Sequence, residues 1–355
     1  MFMKKVFLTI VLLFATVNVL LADDSGTCGP ELRWKYDGAA HKLIITGSGA
    51  MSDFVKCDYA PWGAYTKDIT SVSLPNGLTR IGDYAFCGCV QLTHVDIPNT
   101  VVSIGSCAFA VCKSIKNIKI PNSVTSIGSN AFVACASIKR IEIPNSVTTI
   151  AEAAFYGCLD LTSVTIPSSV TTIGDNAFED CINLSNVTIP NSVTTIGDNA
   201  FNGCINLSNV TIPNSVTTIG NNAFNDCINL SNVTIPNSVT TIGDNAFRHC
   251  IVLDSIVIPG SVTKIGQCAF KFCKRLTRIN IPYSVTSLGD SIFAGCESLK
   301  SIDIPNNVRS IGTCAFARCT NLTNITIPNK IFLIFSTTFI QSPIYYLYTY
   351  YHTFG

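Results

Sequence analysis

Residues 189–210 read IPNSVTTIGDNAFNGCINLSNV, and the chain repeats this stretch almost letter for letter from Ile212 and again from Ile235. Residues 182–204 and 205–227 differ only at Asp198/Asn221 and Gly203/Asp226. Twelve of the fifteen prolines, from Pro75 to Pro328, follow one another at steps of 23 residues. Phe and Cys keep the same step, from Phe86 and Cys89 to Phe316 and Cys319. Self-similarity at a fixed period marks a chain built from stacked copies of one small unit.

The unit is L-x-x-V-x-I-P-x-S-V-T-x-I-G-x-x-A-F-x-x-C. In one copy Leu207, Val210 and Ile212 stand at i, i+3 and i+5. Val210 and Ile212 therefore share a face of a short strand, with Asn209 and Thr211 turned away. Pro213 ends the strand because it has no N–H for a ladder. Val216, Ile219, Ala223, Phe224 and Cys227 then follow mostly at spacings of three and four, which predicts a short helical or 3-10 piece reached through Gly220. A single coil cannot bury so many apolar groups, but stacked coils roof one another. With parallel strands about 4.8 Å apart, some twelve coils give a curved rod roughly 55 Å long.

This unit resembles the BspA-type, or Treponema-type, leucine-rich repeat of surface proteins. The segment before the repeats adds to the likeness. CGPELRWKYDGAAHKLIITGSGAMSDF (28–54) and APWGAYTKDITSVSLPNGLTRIGDYAF (60–86) have a CG start, a short L-x-I-x-G-x-G-x-M hairpin and a Pro-Trp before the first coil. The resemblance implies an α/β repeat solenoid, a right-handed leucine-rich-repeat coil. A parallel β-sheet would line its concave face and short helical or 3-10 segments its convex face. It also implies a secreted or cell-surface binding scaffold that adheres to host, matrix or microbial surface ligands. The expected organisation is a signal peptide (1–22), a capping segment with a hairpin (23–70), the solenoid (71–328) and a degenerate terminal repeat (329–355).

Composition agrees with a folded, exported chain. A net charge of +1, with 13% charged and 47% apolar residues, excludes both a disordered chain and a polycation seeking nucleic acid. Lys4 and Lys5 precede an apolar run from Val6 to Leu21 and then Ala22, the layout of a secretory leader; the alternative is an uncleaved anchor. His41, His94, His249 and His352 are too scattered to form a local metal site, and no cofactor is expected. No nucleophile elbow, zinc-binding helix motif or phosphate loop occurs, and the carboxylates fall singly, so a non-enzymatic protein is expected.

Of the 17 cysteines, eleven occupy the single repeat column, which reads as a row of buried thiols. Cys107, Cys268 and Cys314 fall two residues before Phe, and Cys87 directly follows Phe86. Cys28 and Cys57 flank the capping segment, and a bridge between them would close it, since solenoid ends need covering.

The strand residues that flank each inward Val or Ile form two outward columns, where a binding function would be grafted. The charged and varied pairs lie toward both ends: His94/Asp96, Asn117/Lys119 and Arg140/Glu142 in early coils, Arg278/Asn280 and Ser301/Asp303 in late ones. The middle is uncharged, of Asn, Ser and Thr with one Val, Val257. Sequons begin at Asn183, Asn186, Asn206, Asn209, Asn229, Asn232, Asn321 and Asn324. Adjacent coils about 5 Å apart cannot carry glycans at every one. The expected partner is a protein or glycan on a cell or matrix surface. Alternatives are an ectodomain that senses or sequesters a soluble ligand and, more remotely, an ice or crystal-surface binder suggested by the stacked Thr.

After Pro328 the pattern frays, with Tyr345, Tyr348 and Tyr350 on the Leu, Val and Ile columns. A degenerate capping coil is the first expectation there. A membrane span over residues 331–351 is a weak rival, because Pro343, Gln341 and the tyrosines suit lipid poorly and no basic tail follows.

Overall fold

The computed structural model describes residues 24–331, 333–334 and 337–344. The expected signal peptide over residues 1–22 and the terminal Tyr345, Tyr348 and Tyr350 lie outside the described residues.

The chain winds as a stack of coils, each laid in register on the one before. The strand predicted from the Val and Ile alternation is present. Arg140–Glu142, Ser163–Thr165, Asn186–Val187, Asn209–Thr211 and Asn232–Thr234 form one parallel ladder with equivalent repeat positions in register, Ser163 against Asn186 and Asn209 against Asn232. A second parallel ladder runs through the T-I pairs, from Thr149–Ile150 to Lys264–Ile265.

The expected helical pieces do not form. Among the described residues the only helix is a 3-10 turn at Gly63–Tyr65, before the first coil. The physical reason lies in where the N–H groups go. Asn222, Phe224 and Asp226 donate to Asp244, Ala246 and Arg248 of the next coil at 2.8, 2.9 and 2.9 Å. The alternating Ala223, Asn225 and Cys227 donate back within the coil to Gly220, Asn222 and Phe224. A helix would spend all of these donors internally. The alternation instead builds a third wall of coil-to-coil bonds, and it requires left-handed backbone at Asn222 (φ 51°) and Asp226 (φ 55°). Asn recurs at the first of these positions because it tolerates that region better than most side chains; Cys107, Cys268 and Cys314 hold it in other coils.

Phe lies at the centre. From Phe86 to Phe316 eleven rings are fully buried, one per complete turn, and neighbours stack at 5.2–5.9 Å. The twelfth expected turn is represented by Phe339, whose ring continues the stack 5.5 Å from Phe316. Coils approach closely where Gly recurs: a Cβ at Gly220 would sit 2.5 Å from the Gly197 carbonyl oxygen. The column cysteines are buried free thiols. Each from Cys112 on donates to the Phe carbonyl of the preceding coil, as Cys204 Sγ does to Phe178 at 3.2 Å. That carbonyl already accepts the N–H of the column Cys in its own coil, so the thiol fills its second acceptor site.

Three strands precede the coils. β1 (Ser25–Thr27) and β3 (Lys42–Ala50) pair antiparallel on either side of β2 (Leu32–Asp37). β3 is long enough to start the first segment of each wall, pairing in parallel with Ser71–Ser73 and, across a bulge at Gly49/Ala50, with Gly77–Ile81. Trp62 opens the aromatic stack 5.9 Å from Phe86 and donates its indole N–H to Ala85 at 2.8 Å.

The expected Cys28–Cys57 bridge is not formed. Cys57 pairs with Cys87, with Cα atoms 5.0 Å apart, so the bond ties the capping segment to the first coil and does not close the segment on itself. Cys28 is a free thiol buried in the cap core, where burial pushes its pKa up to about 11. Its carbonyl is held by Ser52 N–H at 2.8 Å.

Phe224→Ala opens a cavity between two stacked rings and is expected to cost about 3–5 kcal/mol in a denaturant melt. Burial lifts the thiols of Cys158 and Cys273 to about 12 from an ordinary 9.0. A folded-state pKa above the unfolded one contributes stability that is complete below the unfolded value. Stability measured against pH should therefore hold steady up to about 9 and decline toward 12 as the unfolded chain gives up protons that the fold retains. Replacing column cysteines by Ala should shallow that decline.

Candidate functional site

The outward strand columns stand where the alternation put them. Lys119, Arg140 and Glu142 are exposed, beside buried Ile118, Ile120, Ile141 and Ile143. Eight of the ten charged or varied candidates line two hollows in the strand face. Asn117, Lys119, Arg140 and Glu142 border one of about 1030 Å³, together with Asn99, Asn122 and Asn145. Arg278, Asn280, Ser301 and Asp303 border another of about 800 Å³. His94 and Asp96 border neither; they pair with each other at 3.1 Å.

The hollows coincide with interruptions in the strand ladder. The coil of Asn117 and Lys119 contributes no strand to this face, so the ladder through Ser71–Ser73 and His94–Val95 is separate from the one that begins at Arg140–Glu142. In the late coils the ladder is likewise split, into Ser255–Ile256 with Arg278–Ile279 and Ser301–Asp303 with Asn324–Thr326. Backbone that is not drawn into a continuous sheet leaves room between its side chains.

The two hollows differ in how much of their chemistry is already used. Asn280 is committed: its amide donates to the Ile258 carbonyl at 2.8 Å and accepts the Ile258 N–H at 2.9 Å, closing the gap that a strand bond would fill. Asp303 accepts Thr326 Oγ1 at 2.9 Å, and Asp254 accepts Ser255 Oγ at 3.2 Å. In the early hollow the side chains of Asn117, Lys119, Arg140 and Glu142 make no hydrogen bond or ion pair among the described residues.

Between the hollows the strand face and the turn that precedes it satisfy themselves. Asn232 donates its amide to Asn209 at 2.9 Å, Asn206 to Asn183 at 3.1 Å and Asn229 to Asn206 at 3.2 Å. These are the sequon asparagines, so their side chains form amide ladders along the stack. A comparable row on the turn wall, which the sequence pattern did not single out, runs from Arg248 through Asn225 and Asn202 to Glu179 at 3.4, 2.8 and 2.8 Å. Burial pushes the Glu179 carboxyl above its ordinary value, while the Asn202 bond acts against that shift. With a carboxylate at one end and a guanidinium at the other, its amides are oriented one way, and Asn225 donates to Asp226 as well at 2.9 Å. The described residues hold no cluster of three or more His, Cys, Asp or Glu side chains able to hold a metal ion.

The family model for the BspA type leucine rich repeat region matches residues 64–185, 171–259 and 240–350 in six copies. The chain belongs to this family. Its fold is similar to that of a leucine-rich repeat protein from Bacteroides ovatus, with 27% identity, TM-score 0.62, and coverage of 85% of this chain and 94% of the other. A leucine rich cell surface protein from Faecalibacterium prausnitzii is 32% identical at TM-score 0.56, over 90% of this chain and 93% of that one. A leucine-rich repeat protein from Eubacterium ventriosum is 26% identical at TM-score 0.59, over 90% and 95%. No curated protein matches the chain. Family and neighbours are repeat scaffolds, and the neighbours include a protein described as a cell-surface one. No helix among the described residues is long and apolar enough to cross a membrane.

A glycan on Asn232 would be attached to the Nδ2 that donates to Asn209 Oδ1, and coils about 4.8 Å apart leave no room for a second glycan beside it. Expression in a glycosylating host should therefore yield fewer than eight glycans per chain. Site-resolved mass spectrometry should find Asn209 and Asn232 occupied in different molecules.

Proposed function

We propose that this protein is a non-enzymatic binding rod, secreted or displayed at a cell surface, that engages protein or glycan ligands of host, matrix or microbial surfaces through its strand face. The observation that carries this reading is the early hollow, where Lys119, Arg140 and Glu142 stand exposed and unpaired on a rigid, fully packed support. Side chains held by a stiff scaffold lose little freedom on binding, which favours many weak contacts multiplied along a rod. Likeness to a cell-surface protein of the same repeat class supports the location. The expected adhesion role rests on the family reading, and the expected export rests on the leader-like layout of residues 1–22.

The ectodomain alternative, sensing or sequestering one soluble ligand, differs in predicting a single saturable site. The hollows and charges break the flat Thr array that an ice or crystal-surface binder requires.

The test is an array of matrix proteins and glycans probed with residues 23–355 and with a variant whose outward strand residues in the coils of His94, Asn117 and Arg140 are changed to Ala. Loss of roughly tenfold or more in apparent affinity, the sum of a few contacts at about 0.5–1 kcal/mol each, supports the strand face. Unchanged binding by the variant refutes it.

A further inference from the structure

We infer that the early hollow is a binding site for a polyanionic glycan, a sugar chain carrying sulfate or carboxylate groups. The inference rests on the strand-face reading above and narrows it to one station and one ligand chemistry. Lys116 and Lys139 occupy the same column in adjacent coils, joined by Lys139 N–H to the Lys116 carbonyl at 3.3 Å. Lys119 and Arg140 stand beside them on the same two coils and line the hollow. All four are exposed, and none forms an ion pair among the described residues. Stacked coils place such cations about 4.8 Å apart along the rod. Against them the strand face of these two coils sets one carboxylate, Glu142; Glu152 of the same coil lies past the Thr149–Ile150 strand, the coil after carries Asp160, and the coil before adds Asp96, which His94 already holds at 3.1 Å.

Two cations that line the hollow, with two more exposed on the same coils, make a local positive field in a chain whose net charge is only +1. The rest of the lining decides between anions. Asn99, Asn117, Asn122 and Asn145 offer exposed amides, each both donor and acceptor, which suit sugar hydroxyls and ring oxygens. Ile118, Ile120, Ile141 and Ile143 are buried beneath them, so no exposed aliphatic or aromatic pocket receives the anchor side chain on which peptide recognition depends. Arg140–Glu142 is the end strand of its ladder, but the coil of Asn117 and Lys119 lies directly before it, with Lys139 N–H on the Lys116 carbonyl at 3.3 Å, so that edge faces chain and not an incoming peptide. Charge with amides and without an anchor pocket fits an acidic sugar chain better than an acidic peptide.

Heparin serves as the sulfated probe, dextran as the neutral sugar and poly-L-glutamate as the acidic peptide, each measured by calorimetry on the full chain across a salt series. Heparin should bind with an affinity that falls steadily as salt rises, because cation contacts release counterions. K116Q/K119Q/K139Q/R140Q should lose at least about tenfold, whereas R278Q in the late hollow should stay within about twofold. Glu142→Lys, a single surface change, should tighten heparin binding severalfold and keeps the test open if the fourfold variant folds poorly. Poly-L-glutamate binding as tightly as heparin at equal charge would assign the site to acidic peptides and overturn the proposal. So would heparin binding that ignores both the fourfold and the Glu142→Lys changes, or no heparin binding at all. If heparin fails while array ligands still depend on the outward strand residues, only this inference falls; if those too are lost, the strand-face reading falls with it.

Discussion

The structure depends on one constraint: no coil can satisfy its own backbone. Three walls of N–H and C=O groups point along the stack, and each finds partners only in the coil above or below. Because the bonds repeat at steps close to the 23-residue period, the side chains that support them must repeat too. Gly stands where coils touch, Asn where the backbone turns left-handed, and Cys where a carbonyl needs a second donor. The Phe column fills the space those three requirements leave.

Most of this was legible in the chain because a repeated column is read many times over. The strand, its outward residues, the buried thiols and the aromatic centre all follow from position within the unit. The turn wall was misread because Val216, Ile219, Ala223, Phe224 and Cys227 have helical spacing, and local bonds back three residues do occur there. What spacing alone does not reveal is that alternate donors leave the coil. The signal was present in Asn222 and in the Gly203/Asp226 column, residue types that tolerate positive φ. The bridge was misassigned for a related reason. Cys28 and Cys57 flank the cap in sequence, but Cys87, one place outside any repeated column, was the better partner.

The binding face was legible in outline and not in detail. The columns and the charged ends were readable, and eight of the ten candidates do gather in two hollows. Which of them remain free was not readable, since Asn280 is taken up by the Ile258 backbone and His94 by Asp96. Such pairings depend on gaps in the ladder that no column records. The middle coils show the opposite case. Their asparagines are so alike that they bond to one another, which gives the stack polar cohesion and leaves little for a ligand.

Arg140 and Arg278 occupy the same column position six coils apart. The coils between them include two that are nearly identical over residues 182–227. A coil inserted there would find its backbone partners ready on both sides and would disturb neither hollow. Gene duplication within this stretch would thus act as a ruler with divisions of about 4.8 Å. The gap between the two stations can lengthen or shorten in whole steps while the chemistry at each end stays the same. Descendants of one gene can therefore differ in reach without differing in what either end grips.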